Sequence, residues 1–134
     1  MAERHEAGVL DTCAYIDLDL LGAKDLPVLP VLTAVTMAEL QQGVAMAEDP
    51  GVRAARTEKL GAAVADFEPL PFDADAAARY GTLVALVIAA RHASGPRRVD
   101  LMIAAIASVR GLPLHTRNAD DFKGLEGALT VVPV

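Results

Sequence analysis

The chain has 134 residues, 53% hydrophobic and 22% charged, with a formal net charge of -6 and a single cysteine. That length fits one domain spanning residues 1–134, and the apolar share supports a packed core, which excludes intrinsic disorder. The acidic balance excludes broad charge-driven binding to nucleic acid, and an aromatic share of 4% leaves few platforms for base stacking.

In chain order, residues 1–7 are polar and read as a flexible N-terminal extension. Residues 8–11 form a short apolar strand that stops at Asp11, and a helix is expected over 14–21, closed by Gly22. Residues 28–33 read as a second strand, with Pro27 and Pro30 tolerable only at its start or on a sheet edge. From Thr36 a helix is expected, because Met37, Leu40, Val44 and Ala47 recur at helical spacing. Asp49-Pro50 reads as a cap followed by a first-turn proline, and the helix beyond it carries Leu60, Ala63, Val64 and Phe67 on one stripe. A third strand is expected over 67–72, then a cap at Asp73 and a helix striped by Ala76, Tyr80, Leu83, Val84, Val87 and Ile88. Ser94-Gly95-Pro96 breaks the chain before a further helix that ends at Gly111. Residues 112–116 and 129–132 complete the set as fourth and fifth strands. Strands alternating with helices predict a mainly parallel five-stranded α/β sheet flanked by helices, with its functional crevice at the carboxyl ends of the strands.

Four places hold acids or amides where a strand runs out or a helix begins: Asp11, Glu39, Asp100, and the group Asn118, Asp120 and Asp121. Carboxylates gathered beside a core repel one another and are costly to bury unpaired, and a divalent cation resolves both problems. Each has a structural alternative. Asp11 suits an N-cap, Thr36-Met37-Ala38-Glu39 matches a capping box, Asp100 can cap its own helix, and residues 116–122 suit a turn. His5, His92 and His115 lack metal-ligand spacing, and Cys13 has no local partner for a zinc site. No glycine-rich phosphate loop is present. The lone cysteine, the polar start and the lack of a bilayer-length apolar run point to a cytoplasmic protein without membrane attachment.

The order of these motifs resembles the PIN-domain ribonucleases, and within them the VapC toxins of type II toxin–antitoxin systems. The pieces that carry the likeness are Leu10-Asp11-Thr12, Thr36-x-x-Glu39, Asp100-Leu101-x-Ile103-Ala104, the run from Thr116 to Phe122, and the closing apolar strand. The resemblance implies a single PIN-like domain and a Mg2+-dependent endoribonuclease, with Mn2+ as a possible substitute. It implies an acidic site of Asp11, Glu39, Asp100 and Asp121, with Asp11 and Asp100 as metal ligands. Thr12, Thr116 and Asn118 would support that site, Asn118 standing where many relatives carry a fourth acid. It further implies a small cognate antitoxin and a homodimer; the apolar, small-residue helices over 37–47 and 54–65 are candidates for the antitoxin's groove, and equally for core or dimer surface. Arg97, Arg98 and Arg117, with Arg91 and His92 beside them, are candidate phosphate contacts to RNA, or else ordinary solvated helix ends. Two other readings remain at this point: a catalytically degenerate PIN domain that only binds a partner, and a phosphate-handling receiver- or phosphatase-like α/β domain.

Overall fold

The computed structural model describes residues 4–90 and 95–134, so Arg91, His92 and Ser94 lie outside the described residues. Its strands are β1 (Ala7–Leu10), β2 (Leu29–Val31), β3 (Leu114–Thr116) and β4 (Val131–Pro133). Among the described residues, five α-helices surround them: α1 (Thr12–Ile16), α2 (Ala34–Met46), α3 (Pro50–Asp66), α4 (Ala74–Ala89) and α5 (Arg98–Val109). The sheet has the order β2-β1-β3-β4, and every described pairing is parallel. Such sheets are buried on both faces, and two clusters do this. Successive strand residues point to opposite sides, so Val9 joins Ile103, Ile106 and Leu83 under α4 and α5. Its neighbour Leu10 joins Leu32, Leu40 and Tyr15 on the side of α1 to α3. Helix α5 is buried almost all round, from Leu101 through Ala107, and its alanines let α4 pack closely.

Among the described residues the sheet has four strands rather than five. Residues 67–72 form only an isolated bridge between Leu70 and Thr33, with Ala34 N–H donating to Leu70 O at 2.8 Å and Leu70 N–H to Leu32 O at 3.0 Å. Pro69 and Pro71 flank Leu70 and lack the N–H groups a longer ladder requires. The N-terminal segment also differs from expectation. From Arg4 it is tied down: Arg4 Nε donates to Leu26 O at 3.1 Å, His5 O accepts from Val28 N–H at 2.9 Å, and Ala7 already belongs to β1. Pro30 sits in β2, an edge strand, as its missing donor demands.

Helix α2 begins at Ala34 with Thr33 as its N-cap, the Thr33 hydroxyl accepting from Thr36 N–H at 3.2 Å. Thr36 is therefore inside the helix, and the capping-box alternative for Glu39 falls away. Asp49 and Asp73 cap α3 and α4 as expected. The α1 segment is shorter than expected, passing into a 3-10 turn over Leu18–Leu20. One glycine is fixed by close approach: a Cβ on Gly8 would lie 2.5 Å from Cε1 of His115.

Candidate acidic site at the strand ends

β1 and β3 are neighbours in the middle of the sheet, so their carboxyl ends deliver Asp11 and the 116–122 turn to one place. Asp11 follows β1 directly and caps α1, its Oδ1 accepting from Ala14 N–H at 2.8 Å. It is 6% exposed, and its N–H continues the sheet to His115 O at 3.1 Å. Burial pushes the Asp11 carboxyl above its ordinary value; the Thr116 hydroxyl and Ala14 N–H oppose the rise, and the nearby Asp100 and Glu39 charges add to it. The cap alternative and the site position thus coexist in one side chain.

A cavity of about 300 Å3 opens here, lined by Asp11, Cys13, Arg97, Asp100, Asn118 and Asp121, with Gly95 and Phe122. Asp121 is brought in by the 3-10 turn Ala119–Phe122, whose first bond runs from Asp121 N–H to Asn118 O at 3.0 Å. The Thr116 hydroxyl accepts from Asn118 N–H at 3.0 Å and so fixes the start of that turn. Asp100 lies in the first turn of α5 and accepts from Arg97 N–H at 3.2 Å, so its capping alternative is also realised.

Glu39 stands at the rim, on α2. Its Oε1 accepts from the Thr12 hydroxyl at 2.5 Å, and Thr12 lies 3.0 Å from the Thr36 hydroxyl. Thr12 has one proton and gives it to Glu39, so Thr36 must donate to Thr12, an ordered relay from the helix interior to the carboxylate. The Arg97 guanidinium spans the two remaining acids. Its Nε and one terminal nitrogen each reach Asp100 at 3.1 Å, and the same terminal nitrogen lies 3.4 Å from Glu39 Oε2. Asp100 in turn keeps the Arg97 guanidinium firmly protonated. The Cys13 thiol is pushed up by burial and by Asp11, so it stays protonated in this cavity.

Of the residues expected from sequence, Asp11, Asp100, Asn118, Asp121 and Arg97 share the cavity, with Glu39, Thr12 and Thr116 bonded at its edge. Arg98 and Arg117 do not line it. Arg98 is exposed on α5, and Arg117 pairs with Asp17 at 3.8 Å. Sequence reasoning did not find the Thr36 hydroxyl or the internal pairing of Arg97. The spacing Arg97-x-x-Asp100 at a helix start was a usable signal for the second.

The donor set is carboxylate, amide and hydroxyl oxygen, which suits a hard cation such as Mg2+. Among the described residues, no three His, Cys, Asp or Glu side chains are drawn together at ligating separation. Asp100 is instead turned onto Arg97. A second, larger groove of about 560 Å3 adjoins the site between α2 and α3, lined by Leu40, Met46, Ala55, Arg56 and Lys59, with Glu39 and Arg97 at its end. No helix among the described residues is long and apolar enough to cross a membrane.

No protein-family model matches the chain. Ribonuclease VapC5 of Mycobacterium tuberculosis is 40% identical to it, over 98% of this chain and 96% of the relative. The chain belongs to the VapC family. The crystal structure of VapBC-5 from the same organism, a member of the VapBC family of toxin–antitoxin systems, superposes with a TM-score of 0.85 at 38% identity. The match covers 96% of this chain and 99% of that one. FitAcB from Neisseria gonorrhoeae follows at TM-score 0.67 and 27% identity, covering 92% and 94% of the two chains. Membership in the VapC family removes the receiver- and phosphatase-like readings, and the sheet flanked by helices is the architecture of that family.

Proposed function

We propose that this chain is a VapC-type endoribonuclease toxin, dependent on Mg2+, that hydrolyses RNA phosphodiesters at the acidic cavity. The observation that carries the reading is the convergence of Asp11, Asp100, Asp121 and Asn118 on one cavity at the strand ends, in a chain 40% identical to a ribonuclease.

Asp11 and Asp100 would hold the ion, in a cavity that Asn118 and Asp121 also line. When bound, Mg2+ (or Mn2+ in its place) supplies charge against the phosphoryl oxygens and lowers the pKa of water, providing a nucleophile near neutral pH. Everything else falls to the chain. Asp11 is fixed by Ala14 N–H and steadied by Thr116, so its carboxylate is presented in one orientation. Glu39 has Oε1 tied to Thr12 and Oε2 against Arg97 at 3.4 Å, so Oε2 would orient a water or take its proton once that guanidinium moves aside. Burial of Asp11 and the apolar rim at Phe122 limit solvent competition. Arg98 and Arg117, exposed on either side, would contact RNA phosphates beyond the cavity.

Relatives of the family are found as toxin–antitoxin pairs, so a small cognate antitoxin is the expected partner and the 560 Å3 groove between α2 and α3 its expected seat. The groove joins an apolar floor to exposed Met46 and Ile16, a surface suited to an amphipathic segment. Homodimers are the expected assembly.

The test is cleavage of total bacterial RNA by purified wild type, Asp11→Asn and Asp100→Asn, with Mg2+ and after chelation. Asparagine is as good an N-cap as aspartate, so Asp11→Asn should keep the fold. Wild type should produce discrete new 5′ ends that vanish on chelation, and each variant should lose at least about 100-fold in rate. Undiminished cleavage by either folded variant would refute the assignment.

A further inference from the structure

Arg97 is the one basic side chain among the described residues lining the acidic cavity. Its hold is a pincer. Both oxygens of Asp100 are engaged, one by Nε at 3.1 Å and the other by a terminal nitrogen at 3.1 Å, while that terminal nitrogen also faces Glu39 at 3.4 Å. Among the described residues, Asp11 and Asp121 form no ion pair of this kind. The pincer therefore neutralises one side of the cavity and leaves the buried side negative.

We propose that Arg97 is an internal counter-ion that competes with the divalent cation for Asp100 and Glu39, and that cation binding frees its guanidinium to grip an RNA phosphate. This rests on the metal-dependent reading of the same site. A guanidinium that holds both oxygens of Asp100 fixes the carboxylate's orientation and sets a positive charge beside any ion shared with Asp11, so the two cations compete. Arg97 is the side that yields. Its side chain is 64% exposed, against 20% for Asp100 and 16% for Glu39, so little besides the two acids holds it. Exposed ion pairs of this sort are weak and reversible. Its backbone stays anchored by N–H to Asp100 at 3.2 Å, so a displaced guanidinium remains tethered at the mouth of the cavity. A planar fork in that place matches the two oxygens of a phosphate. The same side chain thus fills the site in the resting protein and becomes a substrate contact once it is vacated.

The experiment is calorimetric titration of Mn2+ into wild type, Arg97→Ala, Arg97→Lys and Asp11→Asn at fixed pH and salt, with folding checked by thermal melts. Arg97→Ala should bind Mn2+ about three- to tenfold more tightly than wild type, the range expected from removing weak, partly exposed pairs. Arg97→Lys keeps the charge without the fork and should fall between them. Should Arg97→Ala fail to fold, the lysine variant carries the comparison. Binding of a short RNA with methylene-phosphonate linkages, which keep the anionic oxygens but lack the leaving oxygen, should weaken in Arg97→Ala at saturating Mn2+. Unchanged or weaker Mn2+ affinity in the folded variants, with wild-type binding still lost in Asp11→Asn, overturns the competition and leaves the ribonuclease reading standing. Wild type without Mn2+ binding sensitive to Asp11→Asn overturns both.

Discussion

Replacing Thr12 by valine is the most informative perturbation outside the acids, because the relay Thr36–Thr12–Glu39 makes its consequences calculable. The swap keeps shape and removes the hydroxyl that serves both neighbours. Thr36 is 0% exposed and loses its hydroxyl partner, and leaving a buried polar group unsatisfied costs about 1–3 kcal/mol. Glu39 loses a charge-assisted bond but is 16% exposed, so water recovers part of that loss. The sum should be about 2 kcal/mol, or a fall of roughly 6–8 °C in Tm at this chain length. Thr36→Val removes only the first bond and should cost about 1 kcal/mol. In the double variant the Thr36–Thr12 loss is counted once, so its cost should match Thr12→Val alone rather than the sum of the singles. Urea melts of the four proteins, followed by far-UV circular dichroism, measure this. Strict additivity, or a Thr12→Val cost below about 0.5 kcal/mol, would refute the relay.

Two further outcomes follow from other parts of the molecule. His115 is buried on the central strand against Gly8 and His5, and burial first, then His5, lowers its pKa to about 4. The unfolded chain therefore takes up this proton at higher pH than the folded one, so stability is intact above the ordinary value of 6.5 and falls as pH drops toward about 4. Urea melts between those pH values should show this loss in wild type and a flatter profile in His115→Gln; equal slopes would dismiss it. Charge reversal of Arg98 and Arg117 together should weaken RNA binding and lower the salt slope by about 0.7 for each RNA phosphate that is no longer neutralised, read from filter binding across a salt series. An unchanged slope would remove both residues from the RNA path.

Much of the site was legible because strand ends and helix starts are marked in the sequence. Asp11 after an apolar strand and Asp100 before a buried helix land where the periodicity puts them. Glu39 was ambiguous because a capping-box acid and a functional acid one turn further into the helix look alike in sequence. Only the position of the true cap, Thr33, separates them, and that depends on tertiary contact with Leu70. The expected third strand, over 67–72, failed for a local reason that was present in the sequence, the two prolines around Leu70. The choice among Asn118, Asp120 and Asp121 could not be made from spacing, since a 3-10 turn decides which side chains face inward, and it turns Asn118 and Asp121 to the cavity. Arg97 was legible as a cation near the site but not as a partner of Glu39, which lies 58 residues away in sequence.

Arg97 borders both the acidic cavity and the groove between α2 and α3. Under the proposed competition for Asp100, an occupant of the groove that steadies the guanidinium would disfavour the cation without ever touching an acid. Linkage makes this mutual: whatever factor the groove occupant takes from metal affinity, the metal takes from the occupant. Divalent-ion concentration would then become a variable of complex stability, and a partner released from the groove would leave behind a protein of higher cation affinity.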